Sequence, residues 1–277
     1  MLFMKLFLFS IATLFVAACA GTKLKGTTEY AYQQHVIYKT IDAQRLGGDL
    51  YIPRSPGLKP AVVVVHGGGW TSRTGDMSGI SEKLARAGFV VYNITYRLAP
   101  EHRFPAQVND VSAALEWLYA HAEDYQIDKN NISGWGYSAG AHLILLAGLD
   151  RKQAPFLNSI IAGGTPADLT VWPNSAMVAK LIGEPMIKAE ATWREASPVN
   201  HVNSKSPPVF LYHGDWDKLV DPEQMAFMKR ALDEKNIPVE TYSVDFLGHF
   251  AVYALARGAE SRGIEFVQER TKLEPGG

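Results

Sequence analysis

Only one cysteine, Cys19, stands among the 277 residues, so no disulfide can form within the chain and its stability must come from a packed core. No block of basic residues occurs, nor any interleaving of basic with aromatic side chains. The 27 Lys and Arg against 28 Asp and Glu leave a formal charge of −1. Nucleic acid is set aside as a partner on that ground. The N-terminal apolar run, Leu6 to Val16, is shorter than the roughly 20 residues a bilayer span requires. Internal repeats and low-complexity tracts are missing too. What remains is a chain that is 47 % apolar and long enough to bury one substantial core. Single α/β domains of about 200–250 residues are common, so the length does not demand two.

The N-terminus carries Lys5, the apolar run, and then the small residues Ala17 and Ala18 before Cys19. This is the pattern of an export signal over residues 1–18. Val16-Ala17-Ala18-Cys19 resembles the bacterial lipoprotein signal, which implies lipidation of Cys19 and a membrane anchor, since several acyl chains hold stably where one does not. Ala20, where inner-membrane lipoproteins carry Asp, implies an exported protein on the outer membrane or periplasmic face. Residues 19–32 are polar and rich in Gly, Thr and Lys, the composition of a tether, and the folded domain is expected over residues 33–277.

From Gln34 onward short β-rich runs alternate with longer helical patterns. Gln34–Lys39 and Asp49–Ile52 predict a leading strand pair turned at Gly47-Gly48, and Ala61 to Val65 a strand buried on both faces. Further strands are expected over Phe89–Thr95, Asn131–Gly136, Ser159–Ala162, Val209–His213 and Val239–Val244. Helices are expected over Ser78–Ala87, Ala106–Ala122, Ala139–Leu149, Glu223–Asn236 and within Ala251–Arg270. Strands separated by helices imply right-handed crossovers and a mostly parallel sheet of about eight strands, covered on both faces. Chemistry in such a sheet belongs beyond the carboxyl ends of its strands.

Four strand ends carry candidate residues. After Asn131–Gly136 comes Gly136-Tyr137-Ser138-Ala139-Gly140, followed at once by a helical run. A serine on such a strand-to-helix turn is thrust out of the sheet as a nucleophile. After the Val-rich strand, His66-Gly67-Gly68-Gly69-Trp70 leaves backbone N–H groups uncovered for an oxyanion. Gly68 and Gly69 are the candidates, with the N–H of Ala139, and His66 reads as a brace for the loop. After Val209–His213 stand Asp215, Asp217 and Asp221, and a loop past the next strand carries His249. His142, His201 and His213 are rival bases, but only His249 lies in a late Gly-flanked loop. Ser138, an acid, then His249 is the chain order of Ser–acid–His chemistry on a parallel sheet.

These residues together resemble the α/β-hydrolase superfamily, and within it the hormone-sensitive-lipase-like carboxylesterases. The stretches Tyr96 to Ala106 and Ser206 to Val220 strengthen the likeness. In the second, the resemblance assigns the triad acid to Asp217, three residues before Val220. Tyr137 departs from the Asp that many members carry before the nucleophile, and little chain precedes the Val strand, which implies a small or absent cap. Pro166–Ser204, with Trp172 and Trp193, is the segment available to supplement it. The His-Gly-Gly-x-Trp form is similar to smaller feruloyl and acetyl esterases and to arylformamidases, and unlike the prolyl-oligopeptidase group. The resemblance implies a serine carboxylesterase acting on small esters through an acyl-enzyme, with no cofactor and no metal. An arylformamidase-like amide hydrolase and a catalytically silent, surface-tethered binding module are the alternatives.

Overall fold

The computed structural model describes residues 28–149 and 157–271. Cys19, the export signal and most of the tether segment lie outside the described residues. Eight strands form one sheet: β1 (Tyr30–Ile41), β2 (Gln44–Pro53), β3 (Lys59–Val65), β4 (Val90–Ile94), β5 (Ile127–Tyr137), β6 (Ile160–Gly163), β7 (Val209–Gly214) and β8 (Val239–Val244). Their order is β1-β2-β4-β3-β5-β6-β7-β8. β2 runs antiparallel to β1 and β4, and every pairing from β4 to β8 is parallel.

Among the described residues, eight α-helices join or follow them: α1 (Ser78–Arg86), α2 (Ala106–Ala120), α3 (Ala139–Leu149), α4 (Ala176–Ile182), α5 (Met186–Glu195), α6 (Glu223–Glu234), α7 (His249–Leu255) and α8 (Arg257–Thr271). β3 shows why the sheet needs cover on both sides. All seven of its residues are buried; Ala61, Val63 and Val65 face the cluster that includes α2, α3 and α6, while Val62 and Val64 face the one with α1 and α8. A β-branched run of this kind has no polar face to offer water. α3 is buried at every residue, its Gly148 accommodating Leu157 and Ile160, which explains a helix with almost no polar side. Among the described residues, no helix is long and apolar enough to cross a membrane.

The structure corrects three expectations. β1 begins at Tyr30, inside the segment read as tether, because Tyr30 and Tyr32 both pack against Tyr51 of β2. The strand pair turns at Asp42-Ala43, both at positive φ, and Gly47-Gly48 lies within β2. Those two glycines answer close packing: a Cβ on Gly47 would strike the Val36 carbonyl, and one on Gly48 the Asn93 carbonyl. Finally, the terminal helical segment is two helices, and His249 is the first residue of α7 rather than a loop residue, with Gly248 as its N-cap.

Candidate active site

β5 ends at Tyr137 and α3 starts at Ala139, so Ser138 alone turns the chain from strand to helix. It does so at φ 54°, a left-handed conformation that side chains with a Cβ adopt only at a cost. Crowding explains the glycines on either side. A Cβ on Gly136 would collide with the Gly140 backbone, and one on Gly140 with the Val65 carbonyl. The loop after β3 reaches the same point, the Cβ position of Gly67 being 3.3 Å from the Cβ of Ser138.

β7 and β8 bring the other two groups. Ser138 Oγ lies 2.9 Å from His249 Nε2, and His249 Nδ1 lies 2.6 Å from Asp217 Oδ2. Asp217 is 3 % exposed and accepts the Leu219 and Val220 backbone N–H groups on Oδ1, each at 2.9 Å. Burial opposes its charge, but the nearby His213 imidazole and hydrogen bonds from His249 and the Val220 N–H outweigh that and hold the carboxyl well below the usual range. An ionised Asp217 requires the proton of neutral His249 to sit on Nδ1. Nε2 is then free to accept from the Ser138 hydroxyl, the polarity a base needs.

The rival residues have other partners. Asp215 and Asp221 are exposed, and Asp221 Oδ1 accepts the Glu223 N–H at the start of α6. His142 Nδ1 accepts from Trp70 Nε1 at 3.1 Å, so its Nε2 carries the proton and donates to the Ala196 carbonyl at 2.7 Å. That fully buried imidazole ties the glycine loop to the segment after β6. His201 Nε2 donates to the Glu195 carbonyl. His213 approaches Asp217 rather than Ser138.

His66 braces the glycine loop as the sequence implied. Its ring stacks on Tyr96 at 4.3 Å, and its Nδ1 donates to the Gly67 carbonyl at 2.7 Å. Burial lowers it to about 4, so it is neutral at neutral pH. The Gly68 carbonyl turns back to accept the N–H groups of Thr71 and Ser72, both at 3.1 Å. Across a trans peptide the next N–H points opposite to its carbonyl, so the N–H groups of Gly68 and Gly69 face away from these anchors. Gly68 and Gly69, at φ 116° and 57°, line one cavity with Ala139, Ser138 and His249. Ala139 opens α3, where an N–H lacks an intrahelical acceptor.

That cavity measures about 630 Å³ and is walled mostly by apolar groups, among them Trp172, Met177 and Val178 from the segment between β6 and β7, and Leu219, Phe250 and Tyr253 opposite. This segment, with α4 and α5, is a small cap. Trp172 and Tyr137 line the cavity, whereas Trp193 is fully buried with its Nε1 on the Glu184 carbonyl. Sequence reasoning missed Met177, whose Sδ lies 2.8 Å from where a Gly69 Cβ would stand. It also missed what Tyr137 does: its hydroxyl donates to the His249 carbonyl at 2.6 Å. The one available signal was its departure from the Asp found there in many related sequences. Among the described residues, no group of three or more His, Cys, Asp or Glu is placed to hold a metal ion.

A mostly parallel eight-stranded sheet with Ser138 after β5, Asp217 after β7 and His249 after β8 is an α/β-hydrolase fold with a serine–histidine–aspartate constellation at its strand ends. The BD-FAE family model matches residues 48–232, more than half of the chain, and the chain belongs to that family. It is 30 % identical to Esterase LipC of Mycobacterium tuberculosis over 73 % of this chain and 55 % of LipC. It is 26 % identical to a kynurenine formamidase of Meyerozyma guilliermondii over 70 % of this chain and 79 % of that protein. The chain therefore spans about half the length of LipC and most of the formamidase. Among solved structures, a truncated carbohydrate esterase from gut microbiota superposes with a TM-score of 0.78 at 23 % identity, covering 89 % of this chain and 99 % of that one. At that identity the likeness is one of fold.

Proposed function

We propose that the protein is a serine carboxylesterase of small esters. The observation that carries this reading is the continuous hydrogen-bond line from Ser138 Oγ through His249 to a buried, ionised Asp217. His249 takes the Ser138 proton as Oγ attacks the ester carbonyl, and Asp217 fixes the tautomer of the imidazole and stabilises its protonated form. The N–H groups of Gly68 or Gly69 and of Ala139 hold the tetrahedral oxyanion. His249 then protonates the departing alcohol, and a water that gives its proton to His249 hydrolyses the acyl-Ser138 ester. The LipC relationship supports an ester substrate, and the size and apolar walls of the cavity support a compact acyl group.

The formamidase relationship supports a second substrate, an N-formyl aryl amide, whose carbonyl would meet the same serine. A panel of p-nitrophenyl esters from acetyl to palmitoyl, with methyl ferulate and formylkynurenine added, decides between them. Turnover of short esters above all others is expected. Preference for formylkynurenine would replace the ester reading, and a folded protein that neither turns over any of these nor labels with a fluorophosphonate would be a binding module. Cys19 supports a further part of the reading, export and lipid anchorage at a membrane. Metabolic labelling with palmitate should mark the wild-type protein and leave Cys19→Ser unmarked; equal labelling of both would remove that assignment.

A further inference from the structure

His213 stands next to last in β7, 1 % exposed and four residues before Asp217. Its Nε2 lies 2.8 Å from the Val220 carbonyl oxygen and 3.3 Å from Asp217 Oδ2. A carbonyl oxygen only accepts, so Nε2 carries a proton and donates it to Val220, which leaves the same N–H beside the carboxylate oxygen in a close polar contact. Asp217 therefore receives three hydrogen bonds, from the Leu219 and Val220 N–H groups on Oδ1 and from His249 on Oδ2, and the His213 N–H lies against that same Oδ2. The two backbone donors and the His213 contact stay in place during the reaction, and only His249 exchanges a proton with Ser138.

We propose that His213 is a positioning residue for the acid: its Nε2–H, pinned by the Val220 carbonyl, fixes Asp217 Oδ2 beneath His249 and limits how strongly that oxygen holds the imidazolium. The proposal rests on the esterase reading given above. Each additional donor on a carboxylate draws charge away from the others, so His213 and His249 compete for Oδ2. Without the His213 N–H dipole beside it, Asp217 Oδ2 attracts imidazolium more strongly, so the catalytic base of that variant stays protonated to higher pH. Other groups facing the pair are Tyr137 at the end of β5 and Ser138 in the turn after it, with the Tyr253 ring of α7 reaching it through Tyr137. Asp215, Lys218, Asp221 and Asp245 on the two loops are exposed to solvent.

Two variants separate this role from packing. His213→Gln keeps an N–H donor near the position of Nε2, and His213→Leu removes it while retaining apolar bulk. For p-nitrophenyl acetate, the acid limb of kcat/KM in the Leu variant should move up by about half a pH unit or more, with kcat about tenfold lower and KM little changed. The Gln variant should restore the limb. Coincident acid limbs in wild type and Leu variant, or an equal shift in both variants, would overturn the proposal. The downfield proton resonance of the His249–Asp217 hydrogen bond, followed against pH in all three proteins, reads the same coupling without turnover. A wild-type protein inactive on every ester would sink the esterase reading alone, and the resonance would still decide for or against His213. Should the Leu variant not fold, wild type against His213→Asn, whose shorter amide falls short of Oδ2, gives the same comparison.

Discussion

At Ser138 the demands of chemistry and of stability pull in opposite directions. The turn needs a left-handed residue, and only a residue with a side chain can supply the hydroxyl. A Cβ in that region costs about 1–2 kcal/mol relative to glycine, part of which glycine returns through its greater freedom when unfolded. Ser138→Ala and Ser138→Gly should both abolish ester turnover. Only the glycine variant should gain stability, up to about 1 kcal/mol in urea unfolding, because alanine keeps the Cβ. Equal stability in the two variants would mean that the turn carries no such strain. Asp217 sets a second test at this scale. Asp217→Asn leaves the shape intact but lets the wrong imidazole tautomer form, and kcat should fall by up to about 10⁴-fold. Asp215→Asn and Asp221→Asn, which alter exposed side chains, should each leave kcat within about twofold of wild type.

Elements differ in how much of them the sequence reveals. β3 and α3 are legible because their pattern has one physical explanation each, a strand or a helix covered on all sides. The Ser138 turn is legible because it follows β5 directly, and His249 because it stands in a Gly-flanked stretch late in the chain, whereas the choice of Asp217 over Asp215 and Asp221 comes only from the family resemblance. The Gly47-Gly48 pair misled for the reverse reason: glycine serves tight turns and close packing equally well, and nothing local says which. Met177 was hidden by distance, since it stands more than a hundred residues along the chain from the Gly69 it covers. The small cap yields its own prediction from that contact. Met177→Ala should open space beside the glycine loop and shift acyl preference towards longer chains. The ratio of kcat/KM for octanoate over acetate should rise about tenfold, the size of discrimination one or two methylenes bring. An unchanged ratio across the ester series would take Met177 out of the acyl wall.

At the scale of the whole molecule, two buried imidazoles are held neutral by desolvation, His66 under the glycine loop and His142 within α3. Burial lowers each to about 4. Both would titrate near 6.5 in the unfolded chain. The folded values lie below the unfolded ones, so between about pH 6.5 and 4 the unfolded state binds more protons and stability falls as the pH falls. Above about 6.5 both states hold neutral rings and that contribution is fully present. Asp217 acts in a lower window. Its carboxyl is held below the ordinary range, so its contribution is complete above about pH 4 and is lost only in stronger acid. The thermal midpoint should therefore decline by about 5 °C or more from pH 7 to pH 4.5, before the Asp217 contribution begins to fail. His142→Gln offers the decisive comparison, since an amide can accept from Trp70 and donate to Ala196 without ever taking a charge. Its midpoint should fall less steeply over the same interval, measured by calorimetry at five or six pH values. A slope identical to wild type would mean that the acid sensitivity of the fold lies elsewhere than in this buried ring.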